Sequence, residues 1–211
     1  MTLTVALDLA AVFVFALTGA LTASRAQLDI VGFIFIAALT AVGGGTLRDL
    51  FLGRVPVFWV VDPIYIGVIA VGALLVFVTA HLLESRYRAI LWLDAAALAV
   101  AVPAGVNVAI TLNHGPAVVV MMGIVTGCFG GLMRDVVCNE VPLVLRKGEL
   151  YVTAAFAGGI AAALALYLGQ SGPLALLICA GVTFLLRSGS MLFGWSLPAY
   201  KSRPPRDGPR G

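Results

Sequence analysis

The sequence matches itself when it is displaced by 86 residues, and this internal repeat constrains the fold more than any other feature. The displacement superimposes Leu7-Asp8 on Leu93-Asp94, Gly19 on Gly105, Thr40 on Thr126, Gly44-Gly45 on Gly130-Gly131, Arg48-Asp49 on Arg134-Asp135, Val55-Pro56 on Val141-Pro142 and Tyr65 on Tyr151. No gap is needed. A fixed period of this kind indicates duplicated structural units, so we expect two copies of one fold.

Each copy contains three apolar stretches, and a helix that crosses a bilayer needs about 20 such residues. The whole chain is 61% hydrophobic and 11% charged, against roughly 25% charged residues in a soluble domain. We therefore predict an all-α polytopic membrane protein with seven transmembrane helices. The predicted spans are 4–23, 29–52, 62–80, 89–109, 115–138, 149–168 and 173–195.

Three spans per copy is an odd number, so the second copy must enter the membrane from the opposite side, as in inverted-topology repeats. This predicts four regions in the 211 residues. They are a first three-helix repeat (1–86), a second, inverted three-helix repeat (87–172), a seventh transmembrane helix (173–197) and a disordered basic tail on the cytoplasmic face (198–211).

The basic residues predict the orientation, because cytoplasmic loops carry an excess of lysine and arginine. With the N-terminus outside, the outer loops hold only Arg54. The inner loops and tail then hold nine basic residues: Arg25, Arg86, Arg88, Arg146, Lys147, Lys201, Arg203, Arg206 and Arg210. We expect an outer N-terminus and a cytoplasmic C-terminus. The net charge of +3 is too small to indicate nucleic acid as a partner.

Glycines cluster at the same place in the second span of each copy. They are Gly43, Gly44 and Gly45 in the first copy and Gly127, Gly130 and Gly131 in the second. Each glycine weakens a helix by about 1 kcal/mol relative to alanine and permits a kink or a close approach. We predict that both middle helices are broken here. Such breaks are tolerated in a membrane only where they are buried in protein or line water, so the two breaks should face one central path.

One turn beyond the glycines, Arg48-Asp49 and Arg134-Asp135 place charges inside the spans. Neighbouring residues point about 100° apart on a helix, which makes an adjacent arginine and aspartate poor partners. A charge in the membrane costs at least about 2.5–3.5 kcal/mol and is usually paired. We expect pairing across the copies, with Arg48 meeting Asp135 or another carboxylate of the second copy and Arg134 meeting Asp49 or another of the first. The alternative places both pairs at helix ends among the lipid headgroups.

Asp8 and Asp94 each lie a few residues inside the first span of their copy. Two interpretations stay open for them. They are near-interface residues, or they are symmetric carboxylates that attract cations at opposite mouths of a path, as acidic rings do in cation channels.

The remaining polar and aromatic residues predict no chemistry. Tyr65, Tyr151, Trp59 and Trp92 lie near span ends, as in an aromatic belt. Three cysteines without metal spacing are expected to be free thiols, and the two histidines have no ligand partner nearby. No nucleophile–base pair or nucleotide-binding motif occurs. We expect no enzyme activity, no metal and no cofactor.

The paired Gly-Gly-x-x-Arg-Asp segments at 44–49 and 130–135, with Val-Pro at 55–56 and 141–142, resemble the bacterial branch of the trimeric intracellular cation (TRIC) channel family. The resemblance covers residues 4 to about 195, including the seventh helix and the orientation. In this family the repeated domain is also labelled a glycine transporter domain.

The resemblance implies a homotrimer in the bacterial inner membrane, with a pore in each protomer between the two copies. The permeant ions would be monovalent cations, K⁺ in preference to larger or divalent ions, with Na⁺ also permeant. The glycines of the two segments would be hinges, and the pore or gate residues would be Asp8, Arg48, Asp49, Asp94, Arg134 and Asp135.

Membrane lipids are the other expected partners. Animal members bind a phosphoinositide through a lysine-containing motif in the fifth span, where this sequence reads Arg134-Asp135-Val136-Val137. The sequence therefore offers no matching lysine for a specific phosphoinositide site.

An arginine in a cation path would repel K⁺ and cannot deprotonate. We expect Arg48 and Arg134 to be neutralised by carboxylates and to brace the broken helices. Two other classes stay open. One is a secondary transporter of a small solute such as glycine, since inverted repeats with broken helices are typical of transporters. The other is a membrane scaffold that carries no flux.

Overall fold

The structure is a computed structural model that describes residues 2–82, 85–146 and 149–198. Within these residues the chain forms eight α-helices and two short 3₁₀ turns, at Ala80–Leu82 and Leu143–Leu145. The helices are α1 (Leu3–Arg25), α2 (Ile30–Phe51), α3 (Phe58–Val61), α4 (Ile64–Thr79), α5 (Arg86–Thr111), α6 (Pro116–Val137), α7 (Val152–Tyr167) and α8 (Gly172–Phe193).

Seven of these helices correspond to the seven predicted spans, and the all-helical fold is confirmed. Six are long and apolar enough to cross a membrane, if the 3₁₀ turn after α4 is counted with that helix. The seventh, α7, has 16 residues, which is about 24 Å of helix against a hydrocarbon layer of about 30 Å. The tail predicted to be disordered (198–211) lies, except for Pro198, outside the described residues.

Local sequence signals set the ends of the helices. Asp29 caps α2, because its carboxylate accepts a hydrogen bond from the amide of Gly32 at 2.8 Å. Pro116 and Pro173 stand in the first turns of α6 and α8, where a missing amide proton costs nothing. Gly194, with φ of 69°, ends α8 in the left-handed conformation.

The two middle helices, α2 and α6, cross at their glycines. A β-carbon built on Gly44 would lie 2.3 Å from the carbonyl oxygen of Thr126, and one built on Gly130 would lie 2.2 Å from that of Thr40. Because residue 40 faces 130 and residue 44 faces 126, the two helices run antiparallel through this crossing. The two contacts are also equivalent in the repeat. Gly44 and Thr40 of the first copy correspond to Gly130 and Thr126 of the second, so exchanging the copies turns one glycine–threonine pair into the other.

The predicted break in each middle helix is wrong. Both α2 and α6 are continuous α-helices through their glycine segments. A break would free backbone groups inside a membrane, where no water is present to bind them, at a cost of several kcal/mol each. This cost exceeds the roughly 1 kcal/mol by which each glycine destabilises a helix relative to alanine. Here Gly44 and Gly130 permit close contact between the backbones of the two helices.

The same use of glycine joins the first and middle helices within each copy. A β-carbon on Gly19 of α1 would lie 2.8 Å from the carbonyl oxygen of Ile36. Its counterpart on Gly105 of α5 would lie 2.3 Å from the carbonyl oxygen of Met122. Small residues at helix interfaces are how membrane helices approach closely. The four helices α1, α2, α5 and α6 therefore form the centre of the molecule.

Candidate functional site

The first arginine cluster consists of Asp8, Arg48, Asp49 and Arg54. The Arg48 side chain is fully buried and donates from Nη1 and Nη2 to the two carboxylate oxygens of Asp8, at 2.8 and 3.4 Å. Its Nε donates to Oδ1 of Asp49 at 2.9 Å. Charge-assisted hydrogen bonds of this kind are about twice as strong as neutral ones, so the guanidinium is held from two sides.

Asp49 ties this cluster to the loop that follows α2. Its Oδ1 also accepts from Nη1 of Arg54 at 3.0 Å, and its Oδ2 accepts from the amide of Phe58 at 2.9 Å. The Phe58 ring lies 5.3 Å from the Arg48 guanidinium and packs edge-on against Tyr65, with ring centres 4.8 Å apart. The cluster contains two guanidinium groups and two carboxylates, so its charge is balanced.

The second arginine cluster consists of Asp94, Arg134 and Asp135, at the equivalent positions of the other copy. The fully buried Arg134 donates from Nη1 to Oδ1 of Asp94 at 2.8 Å and from Nε to Oδ1 of Asp135 at 2.7 Å. Asp135 Oδ2 accepts from the amide of Leu143 at 2.9 Å. The duplication therefore preserves the core of the site. In each copy an arginine is bound both by an aspartate of the copy's first helix and by the aspartate that follows the arginine in the sequence.

The two clusters differ in charge and in hydrogen bonding. At the position equivalent to Arg54 the second copy has Glu140, which pairs with Arg25 at 3.4 Å. The second cluster thus has one guanidinium and two carboxylates. In addition, Asp94 Oδ2 and Arg134 Nη2 are buried without a hydrogen-bond partner in the protein, whereas every side-chain nitrogen of Arg48 donates to a carboxylate.

Helix α8, which lies outside the repeat, adds a third buried arginine. Arg187 is fully buried and donates from Nη2 to Oε2 of Glu149 at 2.6 Å. Its guanidinium lies 5.0 Å from the centre of the Tyr151 ring, a distance at which a cation is attracted to the ring face. Its Nε and Nη1 have no partner in the protein. In the first copy, the described residues place no arginine over the Tyr65 ring, which packs against Phe58.

The predicted pairing across the copies is wrong, although both arginines are neutralised by carboxylates as expected. Each arginine pairs within its own copy. Arg48 and Arg134 each lie about six residues beyond the centre of the glycine crossing, in opposite directions. At about 1.5 Å per residue, the two clusters are therefore about 18 Å apart along the helix axes. The adjacent Asp49 and Asp135 are good partners after all, because the long arginine side chain bends back to reach them.

Asp8 and Asp94 are bound to arginines and are 5% and 0% exposed in the protomer. Neither carboxylate lies free on the surface. Removing one partner from a buried ion pair costs about 3–5 kcal/mol, so these contacts are a strong structural constraint as well as a candidate site.

Sequence reasoning missed four residues of the site. Tyr65 and Tyr151, interpreted as belt residues, are 3% and 2% exposed and pack in the interior beside the clusters. In the sequence Arg54 is a basic residue of an outer loop, and Arg187 lies within the seventh predicted span. The two tyrosines carried a usable signal, since they repeat at the same displacement as the arginines. Arg54 and Arg187 carried none, because Arg54 has no basic counterpart in the second copy and Arg187 lies outside the repeat.

Among the described residues, no group of histidine, cysteine, aspartate or glutamate side chains is placed to hold a metal ion. Cys128 and Cys179 are buried and Cys138 is partly buried, all as free thiols. The cavities of about 430 and 580 Å³ lie between α6 and α7, away from both clusters.

Helices of membrane-spanning length that bury two arginine clusters on either side of an antiparallel crossing define an integral membrane protein with a buried polar site. The family model described as "Glycine transporter" matches residues 5–81 and again 91–167, which is the same displacement of 86. Together the two matches cover most of the chain.

Relatives and solved structures agree with this assignment. The chain is 40% identical to a UPF0126 membrane protein of Vibrio cholerae, over 92% of this chain and 81% of that protein. It is also 40% identical to the UPF0126 inner membrane protein YadS of Escherichia coli K12, over 92% and 94%. The chain belongs to this family of bacterial membrane proteins.

The fold is that of the TRIC channels. A TRIC trimeric intracellular cation channel orthologue from Rhodobacter sphaeroides superimposes with a TM-score of 0.88 and 42% identity, covering 92% of this chain and all of that one. A second TRIC cation channel gives a TM-score of 0.84 at 28% identity, covering 96% and 100%. The resemblance predicted from the sequence is confirmed.

Proposed function

We propose that this protein is a K⁺-permeable channel for monovalent cations, with a pore in each protomer of a homotrimer. The observation that carries the proposal is the pair of buried arginine clusters on opposite sides of the glycine crossing. A buried site with charged groups in a membrane protein usually marks an ion route. Solved proteins of the same fold and up to 42% identity are TRIC cation channels, which supports cations as the permeant species.

We infer that the two repeats have inverted topology and that the pore lies between them. The antiparallel crossing of α2 and α6 supports this, because equivalent helices of inverted repeats run in opposite directions. The excess of basic residues on one side supports an outer N-terminus and a cytoplasmic C-terminus. The first arginine cluster then belongs to the outer half of the membrane and the second to the cytoplasmic half.

The chemistry of the clusters suits cations. In each copy two carboxylates surround one arginine of α2 or α6, so the arginine does not present an uncompensated positive charge. The pore or gate residues of this proposal are Asp8, Arg48, Asp49, Asp94, Arg134 and Asp135. Gly44 and Gly130 are the positions at which α2 and α6 shift against each other when the pore opens, since their backbones meet directly. Gly43, Gly45, Gly127 and Gly131 face side chains and leave room for them.

The test is single-channel recording of the purified trimer in planar bilayers, with wild type and Arg134→Gln compared. Wild type should carry K⁺ current, and the variant should change unitary conductance, open probability or selectivity because two carboxylates lose their partner. Arg88→Gln is the matched control, since Arg88 is exposed at the start of α5. Arg134→Gln channels identical to wild type would contradict the role given to the second cluster.

The alternative candidate is a secondary transporter of a small solute such as glycine, the activity named in the description of the matching family model. Proteoliposomes with opposed K⁺ and glycine gradients distinguish the two. A channel gives passive K⁺ flux that does not depend on glycine. Saturable glycine uptake coupled to an ion gradient would overturn the channel proposal.

A further inference from the structure

A groove runs between α6 and α7 on the lateral surface of the helix bundle. It consists of two cavities of about 430 and 580 Å³, which share the lining residues Pro116, Ala163 and Tyr167 and therefore form one continuous space. Large apolar side chains that are 44–54% exposed in the protomer line most of its length: Met121, Phe156, Ile160 and Leu164.

The first copy fills the equivalent place with an aromatic pair. There Phe33 of α2 packs edge-on against Phe77 of α4, with ring centres 5.0 Å apart. The displacement of 86 puts Val119 and Ala163 at these positions in the second copy, and both of them line the groove. The groove therefore exists because two aromatic rings of the first copy are replaced by small side chains in the second.

The groove is polar at one end only. Asn113 and His114 line it at the turn between α5 and α6, and Tyr167 lines it at the end of α7. These side chains carry N–H and O–H donors, and the described residues around the groove include no carboxylate. Helix α6 begins at the same end, and its N-cap Gly115 has no side chain to bind the first amides of the helix. This end of the groove therefore complements the charge of a phosphate group.

The length of the groove matches one leaflet of a bilayer. From Tyr167 to Phe156 its α7 side is about 16 Å long, at about 1.5 Å per residue. The hydrocarbon layer is about 30 Å thick, which gives about 15 Å for each leaflet. An acyl chain anchored at the polar end would thus reach the middle of the membrane at Phe156.

We propose that this groove is a binding site for one phospholipid. The headgroup phosphate accepts hydrogen bonds from Asn113, His114 and Tyr167, and one acyl chain lies between α6 and α7. A transmembrane helix of a second copy fits the groove less well, because it would continue past the middle of the membrane and has no phosphate for the polar end. No lysine or arginine lines the groove among the described residues. The site therefore recognises the phosphate itself and not the net charge of the headgroup.

A structure of the purified protein in nanodiscs of phosphatidylethanolamine and phosphatidylglycerol tests the site. We expect acyl-chain density along α6 and α7 that ends at His114. The double variant Val119→Phe with Ala163→Phe rebuilds the aromatic pair of the first copy and should lose this density. Leu74→Phe is the matched control, since Leu74 is 49% exposed on α4, and it should retain the density. A groove that is empty in the wild type, or occupied by a helix of a second copy, would overturn the proposal.

His114→Ala tests the headgroup contact without changing the apolar part of the groove, and it serves if the double variant does not fold. Native mass spectrometry of delipidated protein titrated with phosphatidylethanolamine should give an affinity about three- to tenfold lower in this variant, the loss of one hydrogen bond. Diacylglycerol, which lacks the phosphate, should bind at least about tenfold more weakly than phosphatidylethanolamine, because it loses several such bonds. Phosphatidylglycerol should bind as well as phosphatidylethanolamine.

Equal affinities for diacylglycerol and phosphatidylethanolamine, or for wild type and His114→Ala, would overturn recognition of the phosphate. A strong preference for phosphatidylglycerol would overturn it as well, since it would require a basic group at the site. None of these measurements depends on ion flux. A protein that binds the lipid and carries no current would refute the channel and leave the lipid site standing.

Discussion

Neutralising the equivalent aspartates Asp8 and Asp94 should destabilise the protein to different extents, although the two residues occupy the same place in their copies. The side chain of Asp8 accepts two hydrogen bonds from Arg48, at 2.8 and 3.4 Å. Asp94 accepts one from Arg134, at 2.8 Å, and its Oδ2 has no partner. Asn keeps one acceptor oxygen and replaces the other with an NH₂ donor.

In Asp8→Asn the new NH₂ group faces a guanidinium donor, and the first cluster changes from balanced charge to one excess positive charge. We expect a loss close to that of a broken buried ion pair, about 3–5 kcal/mol. In Asp94→Asn the NH₂ group replaces an oxygen without a partner, and the second cluster changes from one excess negative charge to balance. The loss should be that of one charge-assisted hydrogen bond made neutral, about 1–2 kcal/mol.

The measurement is reversible unfolding of both variants and wild type in mixed micelles, with the free energy of unfolding obtained from each transition. The difference between the variants should be about 2 kcal/mol or more, which is a ratio of about 30 in the unfolding equilibrium constant. Equal losses, or a larger loss in Asp94→Asn, would refute the reasoning. Such a result would mean that the charge of each cluster is set by groups other than those that contact the arginines.

Two further outcomes follow from the packing and from the partly buried thiol of Cys138. Gly44→Ala should destabilise the protein by about 1–3 kcal/mol or more through overpacking, because its β-carbon would meet the Thr126 carbonyl at 2.3 Å. The control Gly67→Ala should not destabilise it, since a β-carbon there meets nothing within 4 Å. Equal stability of the two variants in thermal unfolding would contradict the crossing. Burial, and then the negative charge of Glu140, raise the pKa of the Cys138 thiol. Its labelling by an impermeant maleimide should therefore increase with pH beyond the range of an ordinary thiol and occur from the cytoplasmic side only; labelling of intact cells would reverse the proposed orientation.

The helices were predictable from the sequence because the membrane leaves little choice. A stretch of apolar residues in lipid must satisfy its own backbone, and the α-helix does so locally. The observed bounds of α2 and α6 differ from the predicted spans by one residue at each end. The displacement of 86 also placed Arg48 and Arg134 correctly as equivalent residues, because a duplicated sequence folds into duplicated contacts.

The partners of those arginines were not predictable, since the sequence does not say how helices cross. Antiparallel packing at Gly44 and Gly130 places the arginines on opposite sides of the crossing, so neither reaches the other copy. The same packing explains why the glycines do not break their helices. A glycine in a membrane helix can end a helix or bring two together, and only the neighbouring helix decides between these outcomes.

The sequence by itself determined the seven long apolar helices, the duplication and the identity of the charged residues within those helices, because these depend on residue type and spacing alone. The tertiary structure decided which charges meet and which atoms stay unpaired. It filled the space beside Gly45 with the Phe58 ring and left the space beside Gly131 framed by polar atoms. Identical motifs in the two copies thus acquire different surroundings, because burial and pairing depend on neighbours that are distant in the chain.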